Sequence, residues 1–399
     1  MESAYIVDIL RTPVGKFGGA MASIRPDDMA AHVIKQLVKR NANLPLTELE
    51  DVILGAANQA GEDNRNVARM ASLLAGLPIE VAGVTVNRLC ASGLQSIMDA
   101  SRALMLGEAG AYIAGGVESM SRAPFVTAKA DVAYSRKMET YDTTIGWRFV
   151  NKKLAEMYYP FSMGETAENV ASQWQVSRMA QDEFAHESQM RYDNAHRANV
   201  FLDEIIPIEI PQRKGDGVIF DKDEHPRLSS LEKLASLKPA FKEGGTVTAG
   251  NASGVNDGAA ASLIVNEATL KKYNLKPMAR VVSFAVAGVS PNIMGIGPVP
   301  ATQKALKRAG LSVNELDLIE LNEAFASQSI ACMHELKLDP QKVNVNGGSI
   351  AIGHPLGASG TRISATLLHE MKRRGAKYGL ATMCIGVGQG AAIIYENLA

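Results

Sequence analysis

Cysteine is scarce in this chain. Only Cys90, Cys332 and Cys384 occur in 399 residues. An odd number at wide spacing excludes a disulfide framework, and no C-x-x-C pair is available for zinc. A reducing compartment, the cytoplasm, is the expected setting. An excess of charge is missing too: 41 basic and 42 acidic residues leave a formal net charge of −1. That balance excludes a general nucleic-acid binder but not a local basic patch facing a small anion. No apolar run reaches the roughly 20 residues of a membrane helix, so no membrane insertion is expected. The start, Met1-Glu2-Ser3, has no basic stretch, and the end, Glu396-Asn397-Leu398-Ala399, has no peroxisomal or lipidation signal. No targeting segment is therefore expected. What is present is 46% hydrophobic residues, enough for a large core, and a length that suggests two or three domains.

Apolar runs alternate with amphipathic stretches at both ends. Strands are expected at Tyr5–Leu10, Val52–Leu54, Gly83–Val86 and Tyr112–Gly116. Helices are expected at Pro26–Lys39, Asn66–Leu77 and Ser92–Leu106, the first with Asp27 and Asp28 in its first turn. Strands separated by helices imply an α/β fold with crossover connections. From about 121 to 245 the aromatics, charges and prolines concentrate. Helices are expected there at Gly164–Trp174 and Ser177–Asn199, with a polar, turn-rich stretch from Pro207 to Lys242. This reads as an inserted loop domain that shapes a substrate mouth. The last part echoes the first. Leu46–Ile53 resembles Val313–Ile319, and Cys90 to Gln95 resembles Cys384 to Gln389 with the same spacing. Two halves of common architecture follow, with chance similarity as the plainer reading of either pair.

Four segments carry chemistry. Cys90 follows a strand and precedes a helix, where unpaired backbone N–H groups favour a thiolate and hold an oxyanion. Its plainer reading is a small buried apolar side chain. The glycine-rich run Asn346–Gly360 surrounds His354 and fixes the imidazole in a rigid turn. A phosphate-binding loop would need a lysine after the last glycine, and Thr361 stands there. Cys384 ends another apolar run ahead of Gly386. Asn322 and Glu323 follow Leu318 and Ile319, as site residues or with Asn322 capping the next helix. Cys332 lies in a helical stretch, 326–336, and reads as core. The remaining histidines show no metal-ligand spacing.

Together these segments resemble the thiolase family. The resemblance runs from Arg11-Thr12-Pro13 to the last strand and includes Asn322-Glu323-Ala324-Phe325, Gly353-His354-Pro355-Leu356-Gly357 and Val247–Gly254 with Asn256–Ala259. It implies two pseudo-repeated βαβαβαββ halves in a five-layer αβαβα sandwich, with domains at 1–268, carrying the insert at about 121–245, and 269–399. It implies Cys90 as nucleophile and His354 as its base. Asn322 would hold a water beside the enolate oxygen, and Cys384 would be the acid–base group at carbon. The N–H groups of Cys90 and Gly386 would bind the acyl oxygen, each donor worth roughly 3 kcal/mol. Carbon–carbon cleavage of a 3-oxothioester leaves an enolate, so a nucleophile and a separate acid are both needed. No permanently bound cofactor or metal is implied; coenzyme A is the co-substrate. Met163, Arg227, Ala249, Ser253, Ala324 and Phe325 are the implied CoA contacts. A homodimer or homotetramer is implied, with the loop from Thr127 to Met138 as a second contact.

Many acetoacetyl-CoA thiolases carry His-Met where this chain has Ser162-Met163. Gly61–Asn66 and Asp142–Arg148 instead resemble the 3-oxoadipyl-CoA branch, with Arg148 facing a substrate carboxylate. Asn64 and Arg65 have a plainer reading as a helix cap at a subunit contact. A degradative thiolase is thus expected. The alternatives are a biosynthetic acetoacetyl-CoA thiolase, a decarboxylating condensing enzyme and a non-catalytic acyl-CoA or sterol carrier. The condensing enzyme would have a second histidine or lack the second cysteine. The carrier would lack Cys90 or His354.

Overall fold

The computed structural model describes residues 2–212 and 214–399. The N-terminal half contains β1 (Ala4–Arg11), β2 (Gly15–Lys16), α1 (Pro26–Arg40), β3 (Leu49–Gly55), α2 (Val67–Leu74), β4 (Ala82–Val86), α3 (Ser92–Leu106) and β5 (Ala111–Ser119). An insert follows with β6 (Phe125–Thr127), β7 (Thr140–Asp142), α4 (Lys152–Met157), α5 (Met163–Gln173) and α6 (Arg178–Arg197). It ends with β8 (Ile208–Ile210), β9 (Val218–Phe220) and α7 (Leu231–Ala235). The long β10 (Asn256–Asn266) and α8 (Glu267–Lys272) close the first half. The second half holds β11 (Ala279–Gly288), α9 (Pro298–Ala309), β12 (Leu318–Leu321), α10 (Ala326–Leu336), α11 (Ser349–Ile352), α12 (Leu356–Arg374), β13 (Tyr378–Ile385) and β14 (Gln389–Asn397).

The main strands run in the order β12-β13-β14-β11-β1-β10-β5-β3-β4. The antiparallel pairing of Tyr5 with Arg280 and Ile6 with Ala279 joins the two half-sheets. On either side the plan repeats. β3 is parallel to β4 and β5, β12 is parallel to β13, and a parallel bridge from Ile319 to Val343 takes the place of β4 in the second half. α3 and α12 pack against each other between the half-sheets, α1 and α2 cover the outer face of the first, and α9 and α10 that of the second. This is the five-layer αβαβα sandwich.

Burial on both faces explains the apolar runs read as strands. In β1, Ile6 and Ile9 enter the central core, and Val7 and Leu10 the outer one. A register shift between Ile6 and Asp8 makes residues three apart share a face. The central layer is tight because glycines meet there. A Cβ on Gly116 would lie 2.0 Å from the carbonyl oxygen of Gly357, and one on Gly93 would lie 2.7 Å from the same atom.

The Leu46/Val313 echo is a true repeat: each is a short 3-10 turn entering β3 or β12. The cysteine echo is not. Cys90 follows β4, whereas Cys384 lies in β13, the counterpart of β5. By topology the counterpart of Cys90 lies between Val343 and α12, the segment that carries His354. The insert also differs from the expected turn-rich stretch. It contains the β8–β9 hairpin, and Ile208 and Ile210 are part of the outer core of the first half. Arg11 fastens the insert: Nε donates to Glu204 Oε1 at 2.7 Å, and the two Nη groups donate to the Asp223 carboxylate at 2.7 and 3.0 Å. Asn66, not Asn64 or Arg65, caps α2, accepting from the Arg69 N–H at 3.3 Å.

Candidate active site

Every implied catalytic side chain leaves the carboxyl end of a strand or the segment after it. Cys90 sits in the turn from β4 into α3. Leu89 before it has φ +46°, a left-handed conformation that costs a non-glycine residue about 1–2 kcal/mol. Local bonds hold it there. Asn87 Oδ1 accepts from the Leu89 N–H at 2.8 Å, Ser92 Oγ accepts from the Arg88 N–H at 2.9 Å, and the Ser92 hydroxyl donates to the Leu89 carbonyl at 2.6 Å. The half-buried Cys90 thiol lies near the Gly386 N–H, which favours its thiolate form. The turn after Gly386 is strained in the same sense at Val387, φ +62°, whereas Gly388, φ +79°, takes the left-handed conformation without that cost. Arg88 ties the two turns together, donating to Gln95 at 2.7 Å and to Gln389 at 2.9 Å.

His354 is buried, its backbone N–H bound to Asn256 Oδ1 at 2.9 Å. Its Nδ1 is 2.6 Å from Ser359 Oγ and its Nε2 3.4 Å from Asn322 Nδ2. Asn322 leaves β12 with its N–H on the Thr382 carbonyl at 3.0 Å, beside the strand that carries Cys384. It does not cap α10; the N–H at the cap, that of Phe325, is bound by Gln328 Oε1 at 3.1 Å. Cys384 is buried against Met163, Ala167, Val247, Ala252, Met294, Ala324 and Phe325. Two pairs are thus brought together, His354 with Asn322 and Cys384 with Cys90, and the bond from Asn322 to Thr382 sets the first pair beside the strand that carries the second.

Burial governs the electrostatics. It pushes the Cys90 thiol up to about 11, and the Gly386 N–H and the residue's own N–H offset this only in part. The expected depressed thiol is therefore not found, because desolvation outweighs the helix N-terminus. Cys384 is also held well above the ordinary thiol value, first by burial and then by the neighbouring Cys90 charge. Burial, with the positive charge of Arg362, lowers His354 to about 3. Near neutral pH the site holds two thiols and a neutral imidazole.

The expected CoA contacts form a continuous track. Arg227 lies outermost and donates to the carbonyls of Ala249 at 2.7 Å and Ala252 at 3.3 Å, with His225 on its other side. The Ser253 N–H meets the Ala324 carbonyl at 3.0 Å, and Ala252 bridges Phe325. Met163, Ala324 and Phe325 complete the track beside Cys384. Arg227 is committed to shaping this loop as well as facing solvent. Cys332 is buried in α10 with its thiol on the Gly295 carbonyl at 3.2 Å, a core residue.

The models "Thiolase, N-terminal domain" and "Thiolase, C-terminal domain" match residues 4–268 and 275–397. The chain belongs to the thiolase family. It is an acyltransferase acting on CoA thioesters. This thiolase is 55% identical over 400 residues to a "Beta-ketoadipyl-CoA thiolase" of Pseudomonas aeruginosa, with both chains fully covered. It is 53% identical over 401 residues to the "3-oxoadipyl-CoA/3-oxo-5,6-dehydrosuberyl-CoA thiolase" of Escherichia coli, again with full coverage. The crystal structure of the Bacillus anthracis acetyl-CoA acetyltransferase superposes with a TM-score of 0.94 at 42% identity, over 100% of this chain and 99% of that one.

Sequence reasoning missed several residues of this thiolase. Ser349 and Ser359 lie within the glycine-rich run, where a serine carries no signal of its own. Arg362, on the face of α12 turned into the site, gives no motif signal. Glu118 sits at the end of β5 and accepts from the N–H groups of Ala57, Asn58 and Gly357 at 2.9, 3.1 and 2.8 Å.

Proposed function

We propose that this thiolase works degradatively in the cytoplasm, cleaving 3-oxoadipyl-CoA with free CoA to acetyl-CoA and succinyl-CoA. The names of its relatives support the substrate, and the pairing of His354 with Asn322, next to the strand that brings Cys384 to Cys90, supports the mechanism. Because Cys90 rests as a thiol, it needs a base. His354 Nε2 takes its proton as the sulfur attacks the 3-oxo carbon. The C2–C3 bond breaks, leaving succinyl-Cys90 and the enolate of acetyl-CoA. The enolate oxygen lies against the imidazolium and a water held by Asn322. Cys384 gives its thiol proton to C2 and becomes the thiolate. The acyl oxygen is held by the N–H groups of Cys90 and Gly386. Incoming CoA passes its thiol proton to Cys384, its sulfur attacks the acyl carbon, and Cys90 leaves with the proton returned by His354. CoA lies along Arg227, Ala249, Ser253, Ala324, Phe325 and Met163 and is a co-substrate; the scheme uses no resident cofactor.

Arg148 meets the distal carboxylate of the substrate. It is half-buried in a loop pinned on one side by Asn58 Nδ2 on Thr143 Oγ1, at 2.9 Å, and on the other by Trp147 Nε1 on the Phe161 carbonyl, also at 2.9 Å. The domains divide at 268/269. Two copies pair through the outer strand β4, which carries exposed Val84 and is preceded by exposed Leu74 and Ile79. The β6–β7 hairpin, with exposed Phe125, Tyr134 and Met138, brings dimers together. The deciding assay follows the magnesium-enolate absorbance of 3-oxoacyl-CoAs on adding CoA. Wild type consumes 3-oxoadipyl-CoA faster than 3-oxohexanoyl-CoA or acetoacetyl-CoA, Cys90→Ser abolishes all three reactions, and Arg148→Ala removes the preference. Equal rates in wild type and Cys90→Ser would defeat the mechanism, and a preference for acetoacetyl-CoA would defeat the substrate.

A further inference from the structure

We infer that Ser349, anchored by the buried guanidinium of Arg362, is a positioning residue that orients the Asn322 amide and thereby fixes the tautomer of His354. This rests on the roles proposed above for Asn322 and His354. Neither Ser349 nor Arg362 reaches the reacting atoms; they act through the Asn322 amide.

The argument is one of hydrogen-bond direction. Arg362 is 1% exposed, and its Nη2 is 2.6 Å from Ser349 Oγ. A guanidinium only donates, so Ser349 accepts from it and keeps its own proton for another partner. That partner is Asn322 Oδ1, 2.5 Å away. With Oδ1 engaged, Asn322 presents Nδ2 to His354 Nε2 at 3.4 Å. An amide nitrogen only donates, so Nε2 faces it with a lone pair. The reversed amide would leave the Ser349 hydroxyl between two donors and set Oδ1 against Nε2.

A second chain of bonds reaches the same result from the other side of the ring. Ser359 Oγ is 2.9 Å from the Pro355 carbonyl, which accepts the one proton that hydroxyl has. Ser359 Oγ therefore accepts from His354 Nδ1 at 2.6 Å, and Nδ1 carries the imidazole proton. Both chains leave Nε2 as the basic nitrogen, the form needed to take a proton from Cys90. Arg362 is suited to be the anchor. Its Nε and Nη1 have no hydrogen-bond partner among the described residues, and Nη1 makes only a long ion pair with Glu320 Oε2, at 3.8 Å. Its direct bond in the site is thus the one to Ser349, and its charge opposes a second proton on the imidazole.

A double-mutant cycle tests the route. Ser349→Ala should lower kcat by about 10- to 100-fold, the range seen when outer hydrogen-bond partners of a site are removed. KM for CoA should stay within about two-fold. In the Asn322→Ala background the same change should alter kcat by less than about two-fold, because its intermediary is gone. An equal loss in both backgrounds, or no loss in wild type, overturns the inference. Nitrogen-15 NMR of histidine-labelled wild type, with His354 assigned from His354→Asn, supplies a reading that needs neither turnover nor a Ser349 variant. A neutral ring protonated at Nδ1 is expected, and protonation at Nε2 overturns the inference. Full activity of Cys90→Ser would instead defeat the proposed function and leave the NMR result standing.

Discussion

The two halves of this thiolase are built on one plan and carry different chemistry at equivalent places. The segment after β4 carries Cys90, and the segment after its counterpart at Val343 carries His354. The end of β5 carries Glu118, and the end of its counterpart β13 carries Cys384. Glu118 is buried and pushed up to about 7 by desolvation, yet it binds three N–H groups, one of them at the start of α12. In the first half that strand end staples loops. In the second half the same position holds a buried thiol. The carboxyl ends of the strands supply equivalent places, and the side chain at each decides whether it staples loops or presents a buried thiol.

The largest test of this division sets Cys90→Ala against Cys384→Ala. Each should lower overall thiolysis by about 10³-fold or more, since residues acting as a unit fail together. The half-reactions should separate them. With an acyl-CoA that lacks the 3-oxo group, Cys384→Ala should still form the acyl-enzyme, detectable by mass spectrometry, whereas Cys90→Ala should not. Acylation of both variants would erase the distinction between the halves. A stability test comes next. Arg11→Met leaves Glu204 and Asp223 without their buried partner and should cost about 3–5 kcal/mol, read from the urea midpoint. A loss confined to the surface-pair range of about 0–1 kcal/mol would mean that the insert is not fastened there.

The third test is of sign with pH. A thiol held near 11 is protonated throughout the neutral range. Its alkylation by iodoacetamide in free enzyme should therefore rise about tenfold per pH unit up to about pH 11. A plateau below pH 9 would show that the helix N-terminus wins over burial after all. The smallest expected effect is at the third cysteine. Cys332→Ala removes one buried sulfur from the outer core of the second half and should cost on the order of 1 kcal/mol with unchanged turnover. A loss of activity there would mean that chemistry is not confined to the strand ends.

Local pattern made much of the fold legible. The helices at Ser92–Leu106 and Ala326–Leu336 stand where their periodicity places them, and the echo of Leu46 with Val313 marks equivalent entries into β3 and β12. The echo of Cys90 with Cys384 misled, because similar glycine-rich turns follow different strands. The Pro207–Lys242 stretch looked like open loop because the three-residue strands β8 and β9 are too short to show alternation. Asn322 admits two readings in the sequence, site residue or helix cap, because capping and site residues share a composition.

Residue type and order alone determined the family, the α/β architecture and the set of side chains able to carry acyl transfer, since these are properties of the chain's own chemistry. Tertiary structure decided their state. Burial made both site thiols neutral against the trend expected from a helix N-terminus. Tertiary structure also set Ser359 against Nδ1 of His354 and, through Asn322, Ser349 on the side of Nε2, the contacts on which the inferred tautomer rests. Desolvation and hydrogen-bond direction depend on neighbours brought from distant parts of the chain, and no local stretch of sequence contains them.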